Sequence, residues 1–223
     1  MSESTDHKTM TGVVAPLPIA NLDTDQIMPK QFLRGIDKSG LVGGVLHDLR
    51  FDENENPRED FILNKPGWEN TAILVGGPNF GCGSSREHAV WGLQQFGIKA
   101  VIASSFGEIF FGNSLNNRLL PIVVPEEEVE KLLRHLEDAG QPVEMSIDVE
   151  ALVVHAPTGD LSFELPHRYH QMFLQGLDVI GASLQHRDEI LAFAERHWQA
   201  EPWVKNVPGR VRARLDAEAA AAV

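Results

Sequence analysis

The most regular patterning lies in the middle of the chain. "TAILVGG", from Thr71 to Gly77, is a continuous apolar run closed by glycines, which predicts a strand buried on both faces of a parallel sheet. From Ser85 to Phe96 the apolar positions Ala89, Leu93 and Phe96 share one helical face, and Gly97 supplies the C-terminal stop. "KAVIASSF" then predicts a second buried strand, "FGEIFFGNSLNN" a short helix and "LLPIVVP" a third strand. Strand, helix, strand, helix, strand implies at least one parallel βαβ unit. "PEEEVEKLLRHLEDAG" has proline at its first turn, acids in that turn and a closing glycine, so it predicts a well-bounded helix. "VEMSIDVEALVVHAPTGDLSFELP" alternates around a Pro-Thr-Gly-Asp turn and predicts two or three antiparallel strands.

The flanks are less regular. "MTGVVAPLP" predicts a strand, and "NLDTDQIMPKQFL" a loop followed by a short helix near Pro29–Leu33. From Gly35 to Asn70 the text is rich in Gly, Asn, Asp, Glu and Pro with weak periodicity, the mark of a functional loop or lid. "RYHQMFLQG" and "HRDEILAFAERHW" predict helices, and the tail after Trp203 a frayed helix or disorder. The expected organisation is a disordered N-terminus over residues 1–8, one α/β domain over 9–203 with a mobile loop around 35–70, and a tail over 204–223.

Composition narrows the function classes. The chain has 223 residues, 43% of them hydrophobic, so a sizeable core is expected. A net charge of −13 argues against a nucleic-acid surface, which needs a basic footprint. It leaves room for a small anionic substrate, since one arginine in a cleft outweighs distant acids. The single cysteine excludes an internal disulfide and any thiolate-ligated metal centre built by this chain alone. "MSESTDHKT" has no apolar leader, and no apolar run reaches the ~18 residues of a membrane span, so the expectation is a soluble cytoplasmic protein.

Chemistry concentrates in "GCGSSREHA", Gly81 to Ala89. A thiol-protease stretch would need a second cysteine and an aromatic that are missing here. The nucleophile elbow G-x-S-x-G and the phosphate loop with its Lys-Ser/Thr pair both fail to match. Ser84 and Glu87 have the spacing of a capping box at the helix that follows. A cap alone does not require Gly81, Gly83, a second serine and Arg86. Glycines admit close backbone approach, helix N–H groups favour an anion, and a guanidinium forks onto a carboxylate. The turn follows a parallel strand, where α/β proteins bind ligands. An anion-binding active-site turn is the expectation. His88 reads as packing, Asp23 as shaping the turn before Asp25, and Asn79, Asn113, Asn116 and Asn117 as either cap or substrate-orienting groups.

"GCGSSREHA" resembles the Gly-Ser-Ser-Arg-Glu-His motif in the swivelling domain of the aconitase superfamily. With "NLDTDQIMPKQFL", "SFGEIFFGNSLNNRLLPI" and "GLDVIGASLQH", it is similar to the small-subunit family of 3-isopropylmalate dehydratases, over roughly Thr9 to Gln199. The resemblance implies a swivelling β/β/α fold with a central parallel βαβ unit and added antiparallel strands. It implies a hydro-lyase of leucine biosynthesis that removes water from a 2-hydroxy dicarboxylic acid and returns it to the neighbouring carbon. Carried over residue by residue, Ser84 matches the catalytic base and Asp25 an active-site acid. Ser85 and Arg86 match substrate-carboxylate contacts, Arg34 sits where aconitase has a substrate arginine, and Leu33 is a candidate substrate contact as part of a candidate apolar wall. The implied cofactor is a [4Fe-4S] cluster held by a partner large subunit, none of it by this chain. A sibling hydro-lyase acting on (R)-2-methylmalate and citraconate, and a carboxylate-binding module without chemistry, stay open on sequence alone. "QFLRG" and the segment after it supply Leu33, Ile36, Leu41 and Val42 as a candidate apolar wall for an isopropyl group.

Overall fold

In the computed structural model, residues 8–33 and 39–221 are described. Two compact units emerge, 1–179 and 180–223, so the division falls at Val179 and ahead of residue 203.

The first unit is built on a seven-stranded mixed sheet. Its strands are β1 (Thr9–Leu17), β2 (Thr71–Gly76), β3 (Ala100–Ala103), β4 (Leu120–Val123), β5 (Val143–Asp148), β6 (Val153–Ala156) and β7 (Gly159–Ser162). Their order is β4-β3-β2-β1-β5-β6-β7. β1 to β4 run parallel, while β5, β6 and β7 extend the other side antiparallel. The expected parallel βαβ core with an antiparallel layer is what forms.

The sheet is covered on both faces, which explains why β2 and β3 are wholly buried and, apart from Thr71, carry no polar side chain. Period-two alternation sorts their side chains into two cores. Ile73, Val75 and Ile102 join Val14 in one core; Leu74 and Val101 join Ala15 in the other. Helix α5 (Glu126–Ala139) closes the first core with Val129, Leu132, Leu133 and Leu136, the i, i+3, i+4, i+7 face. Its three first-turn glutamates offset the helix dipole, and Gly140 ends it in the left-handed conformation. α6 (His167–Gln175) adds Phe173 to the same core.

The second core is closed by α3 (His88–Phe96), α4 (Glu108–Asn116) and the chain between β1 and β2. That connection contains α1 (Thr24–Ile27), α2 (His47–Arg50) and 3-10 turns at Lys30–Phe32, Val42–Gly44 and Ile62–Asn64. Leu41, Val45, Leu46, Leu63 and Trp68 are buried within it. Residues 39–70 are therefore a packed cover with its own core side chains. Leu41, expected to face a ligand, is only 3% exposed and belongs to this core.

The second unit holds α8 (Arg187–Ala200), a 3-10 turn at Pro202–Val204 and α9 (Val207–Ala221), with α7 (Val179–Leu184) at the junction. The tail after Trp203, expected to fray or be disordered, carries the 15-residue α9. No helix among the described residues is long and apolar enough to cross a membrane.

Candidate active site

Parallel strands deliver their following loops to one end of the sheet, and three such loops meet beyond β1, β2 and β3. Asp23 bridges to Cys82, and Phe80 to Phe106. The stitches between them are backbone hydrogen bonds. Gly81 N–H donates to Leu22 O at 2.7 Å, Thr24 N–H to Cys82 O at 2.8 Å and Gly107 N–H to Phe80 O at 2.9 Å. Such close approach explains two of the glycines. A Cβ on Gly81, already at φ +73°, would sit 2.2 Å from the Phe110 ring, and one on Gly107 2.7 Å from Gly81 O.

The capping box in this site is not the one expected. Asp23 caps α1: its Oδ1 accepts from Asp25 N–H and Gln26 N–H, both at 2.8 Å, while Gln26 Oε1 accepts from Asp23 N–H at 3.0 Å. At Ser84 the box does not form. α3 starts at His88 instead of Ser85, and its cap residue Glu87 makes no side-chain cap bond. Both halves of the apparent motif have distant partners. Ser84 N–H donates to the buried Thr24 hydroxyl at 2.9 Å, and Glu87 Oε2 accepts from Asn117 Nδ2 at 2.7 Å. The Ser84–Arg86 stretch is thus pinned by tertiary contacts, ahead of the helix.

Pinning brings Asp25, Ser84 and Arg86 together. Arg86 Nε–H donates to Ser84 Oγ at 2.9 Å and Arg86 N–H donates to the same oxygen at 3.2 Å. Arg86 Nη2 pairs with Asp25 Oδ1, and Lys30 Nζ lies 3.2 Å from Asp25 Oδ2. The side chains of Asp25 and Arg86 are 38% and 37% exposed, so the trio opens to solvent while its backbone is fixed. Chemically, Ser84 Oγ accepts two N–H groups from one residue, the arrangement that stabilises negative charge on it. Arg86 Nη1 has no partner among the described residues and is free to meet a carboxylate.

Ser85 is exposed, and its carbonyl accepts from Asn113 Nδ2 at 3.3 Å. Leu33 ends the Lys30–Phe32 turn and packs partly buried on the second core. Arg34 and Ile36 lie outside the described residues. Cys82 is half-buried with its thiol 3.4 Å from Asn21 O. His88 stacks at a tilt on Trp91, 4.9 Å between centroids. Asn117 joins Glu87, Trp91 and Asn113, and Asn79 bonds Asn21 at 2.9 Å, so both are scaffold. Thr24 and Lys30 were missed by sequence reasoning. The middle residue of "DTD" carries no local sign of its partner Ser84, 60 residues on, and the lysine of "MPKQF" reads as an exposed charge although it pairs with Asp25.

Known proteins show the same arrangement of segments. The family profile of the aconitase C-terminal domain matches residues 5–127. The 3-isopropylmalate dehydratase small subunit 1 of Chromobacterium violaceum is 52% identical over 211 residues, covering 95% of this chain and 99% of that one. The chain belongs to the small-subunit family of 3-isopropylmalate dehydratases. A second family member, from Ruegeria sp., is 47% identical over 88% of this chain and 98% of its own. Among solved structures, 3-isopropylmalate dehydratase (LeuD) from Methanocaldococcus jannaschii is similar with a TM-score of 0.60 and 28% identity, over 83% of this chain and 99% of that one. In this family member no group of three or more His, Cys, Asp or Glu side chains among the described residues could hold a metal. With a single cysteine, the chain does not fit an iron–sulfur cluster of its own.

Proposed function

We propose that this chain is the small subunit of a 3-isopropylmalate dehydratase, interconverting 2-isopropylmalate and 3-isopropylmalate in leucine biosynthesis together with a large subunit. The observation that carries the activity is full-length similarity to a protein of that name, 52% identical over 95% of this chain. The same reading puts the [4Fe-4S] cluster on the large subunit, where, when bound, it supplies Lewis acidity for departure of the hydroxyl.

This chain contributes proton transfer and carboxylate recognition. Ser84, as alkoxide, takes the proton from the carbon next to the hydroxyl-bearing one. That C–H electron pair becomes the double bond, and the hydroxyl leaves as water with a proton from a general acid of the assembled site, which regains it from water in the addition. Addition to the other carbon runs the steps in reverse, with Ser84 returning its proton to the carbon that first lost the hydroxyl. A serine is a weak base unless its alkoxide is stabilised, and the two Arg86 N–H groups on Ser84 Oγ support that role. Asp25, clasped by Arg86 and Lys30, sets the plane of the guanidinium that holds Ser84 Oγ. The open edge of Arg86 and the exposed Ser85 hydroxyl receive a substrate carboxylate. Leu33, and Arg34 next to it in sequence, complete the substrate contacts.

The test is turnover of isopropylmalate by the chain reconstituted with its large subunit. Ser84→Ala is expected to lower kcat at least about 10³-fold, the scale of removing a proton-transfer group together with its charge stabilisation. Cys82→Ser is expected to keep most activity. A dead cysteine variant beside an active Ser84→Ala would replace this reading with thiol chemistry.

A further inference from the structure

Lys30 belongs to neither core, and its side chain is 73% exposed. An ion pair this open to water adds little to stability, so folding alone does not account for a lysine at this place. The backbone that carries it is nonetheless fixed on both sides. Met28, two residues earlier, is 1% exposed. Phe32, two residues later, packs on the second core and against His47, 4.8 Å between ring centroids. Phe32 N–H donates to Pro29 O at 3.0 Å and Leu33 N–H to Lys30 O at 3.1 Å, which closes the turn. Beside it, Gln31 Nε2 donates to Asp48 Oδ1 at 3.2 Å. From this mount the ammonium reaches back to Asp25: Nζ lies 3.2 Å from Oδ2, while Arg86 Nη2 pairs with Oδ1.

One carboxylate therefore stands between two cations, at an open surface of a chain whose net charge is −13. Asp25 does not exhaust either of them. An ammonium has three N–H donors, and Arg86 Nη1 has no partner among the described residues. Both heads flank the same small group, so a single small dicarboxylate can bridge them. We infer that Lys30 is a substrate-binding residue, whose ammonium takes the second carboxylate of a dicarboxylate held at its first by Arg86. This inference rests on the functional reading above and narrows it, because a monocarboxylate would satisfy only one of the two cations. The lysine is a point charge on a flexible stem, suited to a carboxylate whose plane is already set by the guanidinium fork at the other end.

The experiment uses the chain reconstituted with its large subunit, as wild type, Lys30→Met and Lys30→Arg. Lys30→Met is expected to raise KM for isopropylmalate about tenfold, the scale of losing a hydrogen bond to a charged group, with kcat within about threefold of wild type. Lys30→Arg is expected to restore most of the loss. Succinate and butyrate, used as competitive inhibitors, separate contact from positioning: Lys30→Met should weaken the dicarboxylate and leave the monocarboxylate unchanged. Equal weakening of both would mean that Lys30 acts only by placing Asp25 and Arg86, and would overturn the inference. So would an unchanged KM, or a weaker hold of the Lys30→Met chain on the large subunit in calorimetric titration. A wild-type pair that turns over citraconate and not isopropylmalate would bring down the functional reading alone, since the contrast between succinate and butyrate can be read against either substrate.

Discussion

Thr24→Val removes a hydroxyl while keeping the shape of the side chain. Thr24 is 4% exposed, and its Oγ1 is the acceptor for Ser84 N–H at 2.9 Å. In the valine variant that N–H has no acceptor in place, a cost of about 1–3 kcal/mol for a buried donor. The turn can relieve this by moving Ser84 outward to water, which pulls Ser84 Oγ off the Arg86 geometry. If the hydroxyl alone ordered the turn, 1–3 kcal/mol would cut the competent population by about 5- to 150-fold. Two further stitches survive the substitution, Thr24 N–H to Cys82 O and Gly81 N–H to Leu22 O. The expected loss is therefore near the lower end, about tenfold in kcat with KM nearly unchanged. Thr24→Ser, which restores the acceptor, should recover most of it. The assay is steady-state turnover by the reconstituted pair, with urea melts of each chain as the stability control. A valine variant destabilised by 1–3 kcal/mol but fully active would refute the claim that this bond positions Ser84.

Gly81→Ala should destabilise the chain by about 2–4 kcal/mol in urea melts, combining a left-handed alanine with overpacking of a Phe110 ring that is 2% exposed and has little room to retreat; a loss below 1 kcal/mol would mean the turn relaxes freely. Hydrogen bonds from Asn56 and Asn54 hold the Asp52 carboxyl below its usual range, with a smaller contribution from the charge of Arg58. A depressed carboxyl contributes stability that is present above its unfolded value, about 3.9, and lost as pH falls through the folded one. Melts from pH 5 to 3 should therefore be shallower in pH for Asp52→Asn than for wild type, and parallel curves would exclude this contribution.

Much of the fold was legible because its signals are local. β2 and β3 announce themselves as unbroken apolar runs, and α5 by its face, its acids and its glycine. The cover over 39–70 was not legible as structure, since four-residue helices and 3-10 turns are too short to show a period. Its Leu41 looked available to a ligand because nothing near it in sequence predicts the core it enters. The site was half legible. Gly81, Ser84 and Arg86 stand close enough together to read as one feature, and Asp25 came only through resemblance. The start of α3 was misplaced because Ser84 and Glu87 have capping-box spacing, while the groups that satisfy them, Thr24 and Asn117, come from other loops. α9 looked like a tail because its stretch is charged and alanine-rich.

The exposure of the trio bears on the proposed need for a partner subunit. Coulomb attraction scales inversely with the local dielectric, so two charges at the Ser84 Oγ–Arg86 Nε separation of 2.9 Å attract by about 1.4 kcal/mol in bulk water and about 6 kcal/mol at an effective dielectric of 20. With Arg86 more than a third exposed, water competes for both partners and the weaker figure governs. Alkoxide stabilisation at Ser84 then gains little from its guanidinium. Covering the trio with a partner subunit or a substrate would shift the same pair toward the stronger figure. The backbone stitches matter for this reason: a charge pair can be strengthened by excluding water only if it is already in position when the water leaves. The fold therefore invests its rigidity in the loops beneath Ser84, Arg86 and Asp25 and leaves their polar tips open to whatever closes over them.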